Sequence, residues 1–199
     1  MEYLIQAFEE IIDGISKALR GLDSTRIETM IVSLIDVRNS GKKVMVVGAG
    51  RSGLVGKAFA MRLMHLGFNV YVLGETITPN VGEGDLVLVI SGSGSTTLPV
   101  TVAEMARKLG SFVIAVTSQP QSVLAQTSDL VVHLPGRQIM EAEEEYHSRQ
   151  LIGQHESLAP MGTMFEDTCM IFLDSMIVEI MNRLGATEEA MRSRHATIE

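Results

Sequence analysis

Five of the seven residues from Ser91 to Thr97 carry a hydroxyl, and the other two are Gly92 and Gly94. They follow Val87-Leu88-Val89-Ile90, an apolar run too short for a helix and rich in β-branched residues, which reads as a strand buried on both faces. Beyond them Leu98, Val102, Met105, Ala106 and Leu109 recur at helical spacing, and Gly110 ends the run. A strand therefore feeds a Ser/Gly/Thr turn that opens a helix. Such a turn offers unpaired amides, the positive end of a helix dipole and hydroxyl donors, a combination that suits a dianionic phosphate. An ordinary strand-to-helix turn needs only one or two hydroxyls for its N-cap. Ser91, Gly92, Ser93, Gly94, Ser95 and Thr96 are thus candidate phosphate ligands.

A second turn of the same kind follows the apolar run Val44-Met45-Val46-Val47. In Gly48-Ala49-Gly50-Arg51-Ser52-Gly53, a cation and a hydroxyl stand at the start of a helix, which adds Arg51 and Ser52 to the candidates. The spacing Gly48-x-Gly50-x-x-Gly53 also fits a dinucleotide fingerprint, with Glu75 near the place of a ribose-binding acid. Three features favour a phosphosugar. A dinucleotide has no use for the denser hydroxyl turn about 40 residues later. A chain of 199 residues leaves no room for a separate substrate domain. Arg51 and Ser52 suit a terminal phosphate monoester.

The surrounding elements must bring these two turns together. Leu4, Ile5, Phe8, Ile11, Ile12, Ile15 and Leu19 form a helical stripe, and Ile27, Ile31, Leu34 and Ile35 carry a second helix opened by a Thr25/Glu28 capping box. These helices (1–40) cover a sheet face or pack against another subunit. Strands are predicted at 44–47, 69–73, 87–90, 112–116 and 130–134, alternating with helices through a core spanning 43–134. This alternation implies a parallel sheet with right-handed crossovers, whose ligands lie beyond the carboxyl ends of the strands. A last helix is predicted over 162–184, with Phe165, Cys169, Phe172, Leu173, Met176, Ile177, Ile180 and Leu184 as its stripe. Met164, Met170, Ile171 and Val178 widen that stripe, which points to burial on two sides or in a subunit bundle. The whole chain, 1–199, reads as one domain.

Composition narrows the partners. A formal charge of −8 argues against a nucleic-acid surface, and no apolar run approaches the ~20 residues of a membrane helix. One cysteine, Cys169, fits a reducing cytoplasm. The acidic stretch 137–157, with His147 and His155, matches no metal-ligand spacing and reads as a solvated segment. Arg192, Arg194 and His195 in the tail either fold over a site or hang in solvent.

Gly48-Ala49-Gly50-Arg51-Ser52, with Ser91-Gly92-Ser93-Gly94-Ser95-Thr96, resembles the sugar isomerase (SIS) domain. Ala60-Met61-Arg62-Leu63-Met64-His65-Leu66-Gly67-Phe68, Gly74-Glu75-Thr76 and Pro160-Met161-Gly162-Thr163-Met164-Phe165-Glu166 narrow the likeness to its 6-phospho-3-hexuloisomerase family. The resemblance implies an α/β fold, with a flavodoxin-like five-stranded parallel sheet between flanking helices as an α-β-α sandwich. It implies a homotetramer with sites near subunit interfaces. The reaction it implies interconverts 3-hexulose 6-phosphate and fructose 6-phosphate, in formaldehyde fixation or in reverse to pentose phosphates. The same resemblance places the phosphate on Ser52, Ser91, Ser93 and Thr96, makes Glu166 the catalytic base and makes His65 a second catalytic group. Ser95 is given no catalytic role.

Moving a ketone from C3 to C2 takes a proton from C2 and delivers one to C3 through an enediolate. One carboxylate base and an oxyanion donor suffice, so no cofactor or metal is expected. From the residues alone, Glu166 also fits a capping box with Thr163, where a helix N-terminus favours negative charge. His65, 13 residues beyond Ser52 on one predicted helix, lies about 20 Å away at 1.5 Å per residue. It either caps that helix or serves a neighbouring subunit. A phosphosugar-binding regulator without chemistry, and an isomerase of another phosphosugar, stand as alternatives.

Overall fold

The computed structural model describes residues 1–136 and 157–197. Two helices open the chain, α1 (Glu2–Arg20) and α2 (Ser24–Asn39). Five strands follow: β1 (Lys43–Gly48), β2 (Asn69–Val72), β3 (Leu86–Ile90), β4 (Phe112–Thr117) and β5 (Leu130–His133). Helix α3 (Gly50–His65) links β1 to β2, α4 (Thr97–Lys108) links β3 to β4, and α5 (Val123–Thr127) precedes β5. Helices α6 (Thr163–Leu184) and α7 (Glu188–Arg192) close the described chain. The five strands are all parallel, in the order β2-β1-β3-β4-β5. That is the flavodoxin-like order, whose switch point lies between β1 and β3.

The strands are apolar on both faces because helices cover both. Val44, Val46, Leu86, Leu88, Ile90, Ile114 and Val116 pack with α2, α3 and α6 on one side. Met45, Val47, Val87, Val89, Val113 and Ala115 pack with Ala103 and Ala106 of α4 and Leu124 of α5 on the other. Leu86, Leu88, Ile90 and Ile114 are fully buried. Burying such a side chain contributes about 1.5–3 kcal/mol, more than a typical single hydrogen bond at about 1 kcal/mol. The sandwich is therefore held chiefly by its two aliphatic interfaces.

Polar groups set the register at the amino ends of the strands. Asp85, beside β3, accepts from the Lys43 amide at 2.9 Å and the Gly82 amide at 3.0 Å, and Lys43 Nζ lies 3.3 Å from it. Burial pushes the Asp85 carboxyl up, but these hydrogen bonds and the lysine charge outweigh it and hold the group below its ordinary range.

Several expectations change. The cap of α2 is Asp23, which accepts from the Thr25 and Arg26 amides, so the Thr25/Glu28 box does not form. Glu28 instead takes a two-pronged bond from Arg183 at 2.6 and 2.7 Å, and that hydrogen bond holds its carboxyl below the usual range. Helix α4 rests on the sheet through Pro99, Ala103 and Ala106, leaving Leu98, Met105 and Leu109 exposed. The main stripe of α6 is buried from Phe165 to Ile180, but Ile171 and Val178 on its widened face are exposed. Of the α1 stripe, Ile15 is buried and Leu19 packs partly against the core, while Leu4, Ile5, Phe8 and Ile12 are exposed. The acidic stretch from 137 to 156 lies outside the described residues.

Candidate functional site

Strand pairing brings the two turns to one edge. Gly48 sits opposite Ile90 in the β1–β3 register, so the turns after them are neighbours at the switch point. Two glycines of the first turn, Gly48 and Gly53, serve packing, while Gly50 takes a left-handed φ of 57°. A Cβ at Gly48 would meet the Gly53 backbone at 2.8–2.9 Å, so β1 and α3 approach too closely for any side chain there. Glu75 forms an ion pair with Lys57 at 2.7 Å, beside an open cleft of about 370 Å³ between α3 and β2. The N-cap of α3 is Ala49, which makes no side-chain cap, so the helix's first amides face the edge without one.

In the second turn the hydroxyls bond one another. Ser91 Oγ accepts from the Gly94 amide at 3.2 Å and lies 3.5 Å from Thr96 Oγ1. Ser93 Oγ accepts from the Ser95 amide at 3.3 Å, and lies 3.2 Å from Ser95 Oγ and 3.4 Å from Thr96 Oγ1. Ser93, Ser95 and Thr96 are exposed, whereas Ser91 and Ser52 are buried behind them. The end of β4 braces this cup. Ser118 donates from its amide and its hydroxyl to the Gly92 carbonyl, at 3.1 and 2.8 Å, and Thr117 Oγ1 donates to it at 3.2 Å. Gly94 has φ +60°, and a Cβ there would overlap Ser122 Oγ, so only glycine fits the bend.

The start of α6 reaches the same edge. The Phe165 ring lies so close to Gly92 that a Cβ there would meet it at 2.9 Å. The next residue, Glu166, accepts from Arg51 Nε at 2.5 Å, while Arg51 Nη2 lies 3.3 Å from Asp167. The Glu166 side chain is 14% exposed and that of Arg51 60%. The bond to Glu166 and its charge raise the Arg51 guanidinium further above its ordinary range. The Thr163/Glu166 capping box is absent, because the N-cap is Gly162 and no side chain caps the helix. Arg51 thus bridges a pair of neighbouring carboxylates, Glu166 and Asp167. Met161, at the turn into α6, has φ 45°, a left-handed conformation that a non-glycine residue adopts at a cost of about 1–2 kcal/mol. Cys169, one turn beyond Glu166, is buried, and burial with the Glu166 charge pushes its thiol up to about 12.

The structure thus gathers Arg51, Ser52, the turn from Ser91 to Thr96 and Glu166 at one edge. It leaves His65 elsewhere. His65 is the last residue of α3, buried at the far end of the helix whose first turn carries Arg51 and Ser52. Sequence reasoning missed Asp167, Phe165 and the bracing hydroxyls of Thr117 and Ser118. A carboxylate next to Glu166 was visible, but its partner lies 116 residues earlier in the chain. The neutral cup, the adjacent carboxylate and the nearby cation can bind a phosphate ester and move a proton near it. Among the described residues there is no cluster of metal-ligating side chains, and no helix is long and apolar enough to cross a membrane.

Comparison with known proteins supplies the context. The SIS domain family model matches residues 38–145. An uncharacterized protein of Aeropyrum pernix is 51% identical over 196 residues, spanning 98% of this chain and 92% of its own. The 3-hexulose-6-phosphate isomerase of Bacillus subtilis is 39% identical over 160 residues, 80% of this chain and 82% of its own. A Methanococcus jannaschii protein, whose crystal structure infers the function of 3-hexulose-6-phosphate isomerase, superimposes with a TM-score of 0.76 at 34% identity, with both chains covered fully.

Proposed function

Because the chain belongs to the SIS-domain family and aligns with its 3-hexulose-6-phosphate isomerases over most of its length, we propose that it is a phosphosugar isomerase interconverting D-arabino-hex-3-ulose 6-phosphate and D-fructose 6-phosphate. The observation that carries this reading is the placing of Glu166 beside the hydroxyl cup, through Arg51 and the Phe165–Gly92 contact.

The phosphate binds at the cup, to the hydroxyls of Ser52, Ser91, Ser93, Ser95 and Thr96 and the turn of Gly92 and Gly94. Its binding energy orients the carbons that react. Glu166 removes the proton from C2 of the 3-ketose, and the electrons of that C–H bond form the C2–C3 double bond of an enediolate. A proton passes from the C2 hydroxyl to the C3 oxyanion, Glu166 returns the abstracted proton to C3, and the carbonyl re-forms at C2. Arg51, on the same carboxylate, is positioned to steady the charge that passes from Glu166 to the enediolate. The 3-ketose has no low-strain ring to open, since its 5-hydroxyl would close a four-membered one.

His65 is about 20 Å along α3 from this centre, so it acts in the site of another copy. A homotetramer with sites near its subunit interfaces supplies that arrangement. We place the enzyme in the ribulose monophosphate route of formaldehyde fixation, in the cytoplasm. The test is solvent exchange: incubated with fructose 6-phosphate in deuterated water, the protein should place deuterium at C3 of the remaining fructose 6-phosphate and at C2 of the 3-ketose, and convert one ketose to the other. Absence of both would reduce the protein to a phosphosugar binder.

A further inference from the structure

The end of α3 is held by more contacts than a surface helix end requires. Gly67 (φ +79°) closes it in a Schellman motif, with the Phe68 amide on the Leu63 carbonyl and the Gly67 amide on the Met64 carbonyl. That leaves the carbonyls of His65 and Leu66, which water normally satisfies. Here Arg38 Nε, from α2, donates to Leu66 O at 3.0 Å, and Arg194 Nη1 donates to His65 O at 3.2 Å. Arg194 also donates to Ala190 O at 3.1 Å, so its guanidinium is fixed between α7 and α3. The next residue, His195, lays its ring over that of His65, with centroids 5.2 Å apart and planes 28° from parallel. His65 is 3% exposed, while His195 is exposed.

We propose that the C-terminal segment is a latch that fixes the His65 imidazole for turnover, with His195 as a positioning residue through ring stacking and Arg194 as a second through the His65 carbonyl. The proposal rests on the reading of His65 as a functional group in the reaction. Capping accounts for Arg194 on the His65 carbonyl, but not for the His195 ring laid over the His65 ring. Burial alone does not select a flat ring stacked on a flat ring. The latch restricts the rotation of His65, and a misplacement of about 1 Å at a reacting group costs on the order of 100-fold in rate.

The test compares His65→Ala, His195→Ala, His195→Phe, Arg194→Ala and Arg194→Lys in the full chain. The readouts are kcat, KM, thermal midpoint and the NMR signals of the His65 ring. His195→Ala is expected to lower kcat about 10- to 100-fold with KM within about twofold, and to shift the His65 signals. His195→Phe, which keeps a flat ring, restores most of kcat, and Arg194→Lys outperforms Arg194→Ala. If His65→Ala is inactive while His195→Ala and Arg194→Ala turn over within about twofold of the parent protein, the latch is overturned and the role of His65 stands. If His65→Ala itself turns over normally, the role of His65 falls and the latch falls with it. A loss of kcat that follows the thermal midpoint and is not restored by His195→Phe also overturns the latch, because it marks a merely structural contact.

Discussion

Arg51 and Glu166 stand in the first turns of two different helices, 115 residues apart in sequence, and are joined by a hydrogen bond. The bond ties α6 to α3, the first crossover helix. If Glu166 is the base, Glu166→Gln keeps the shape and loses the proton acceptor. It should lower kcat by about 10³-fold while leaving fructose 6-phosphate binding, measured by calorimetry, within about threefold. Near-normal turnover in that variant would remove Glu166 from the mechanism.

The same bond separates the role of Arg51 from that of the hydroxyls. Arg51→Met should lower kcat about tenfold or more while inhibition by inorganic phosphate changes little. Ser93→Ala and Thr96→Val should show the reverse, with weaker phosphate inhibition and a KM raised about tenfold, because each removes a hydrogen bond to a charged group. Equal loss of phosphate affinity in all three variants would return Arg51 to the anion site.

Distance along α3 makes a further test possible. His65→Ala and Glu166→Gln protein, each inactive alone, should recover activity when mixed under conditions that exchange subunits. One copy then supplies an intact Glu166 edge and another an intact His65 end. Mixtures that stay inactive after proven exchange would count against a site shared between copies.

Asp85 yields a prediction in acid. Its folded-state value lies below its unfolded one, so its stabilisation is present above about pH 4 and is lost as pH falls through the lower folded value. Asp85→Ala leaves the Lys43 and Gly82 amides without their acceptor and should cost about 1–3 kcal/mol at pH 7. In urea titrations between about pH 2 and 8, the gap between variant and parent should stay level above about pH 5 and narrow below about pH 4. A gap independent of pH would mean that the carboxylate charge contributes nothing.

The sheet was legible in the sequence because strands buried on both faces leave unmixed apolar runs, as in Val87 to Ile90. The cup was legible because its hydroxyl density exceeds what a helix cap uses. Other features depended on partners far away in the chain. Glu28 and Glu166 both sat at capping-box spacing, yet each was drawn to an arginine that no local window contains, Arg183 and Arg51 respectively. The face of α4 was misjudged for a different reason. Val102 and Ala106 of the expected stripe do pack on the sheet, but the small Ala103, outside that stripe, sits with them while the large Leu98, Met105 and Leu109 face outward. The tail gave composition without an address, since its arginine and histidine act on a helix end 129 residues earlier.

The cup is built of hydroxyls and peptide dipoles, and Arg51 at the same edge is paired with Glu166 and Asp167. An anion bound there would be held at contact range by groups that carry no net charge. Dissolved electrolyte weakens attraction between full charges at a distance but has little hold on such short dipolar contacts. Substrate affinity should therefore change little between dilute buffer and concentrated salt, which would let the enzyme keep its grip on sugar phosphates wherever the ionic content of its surroundings is high.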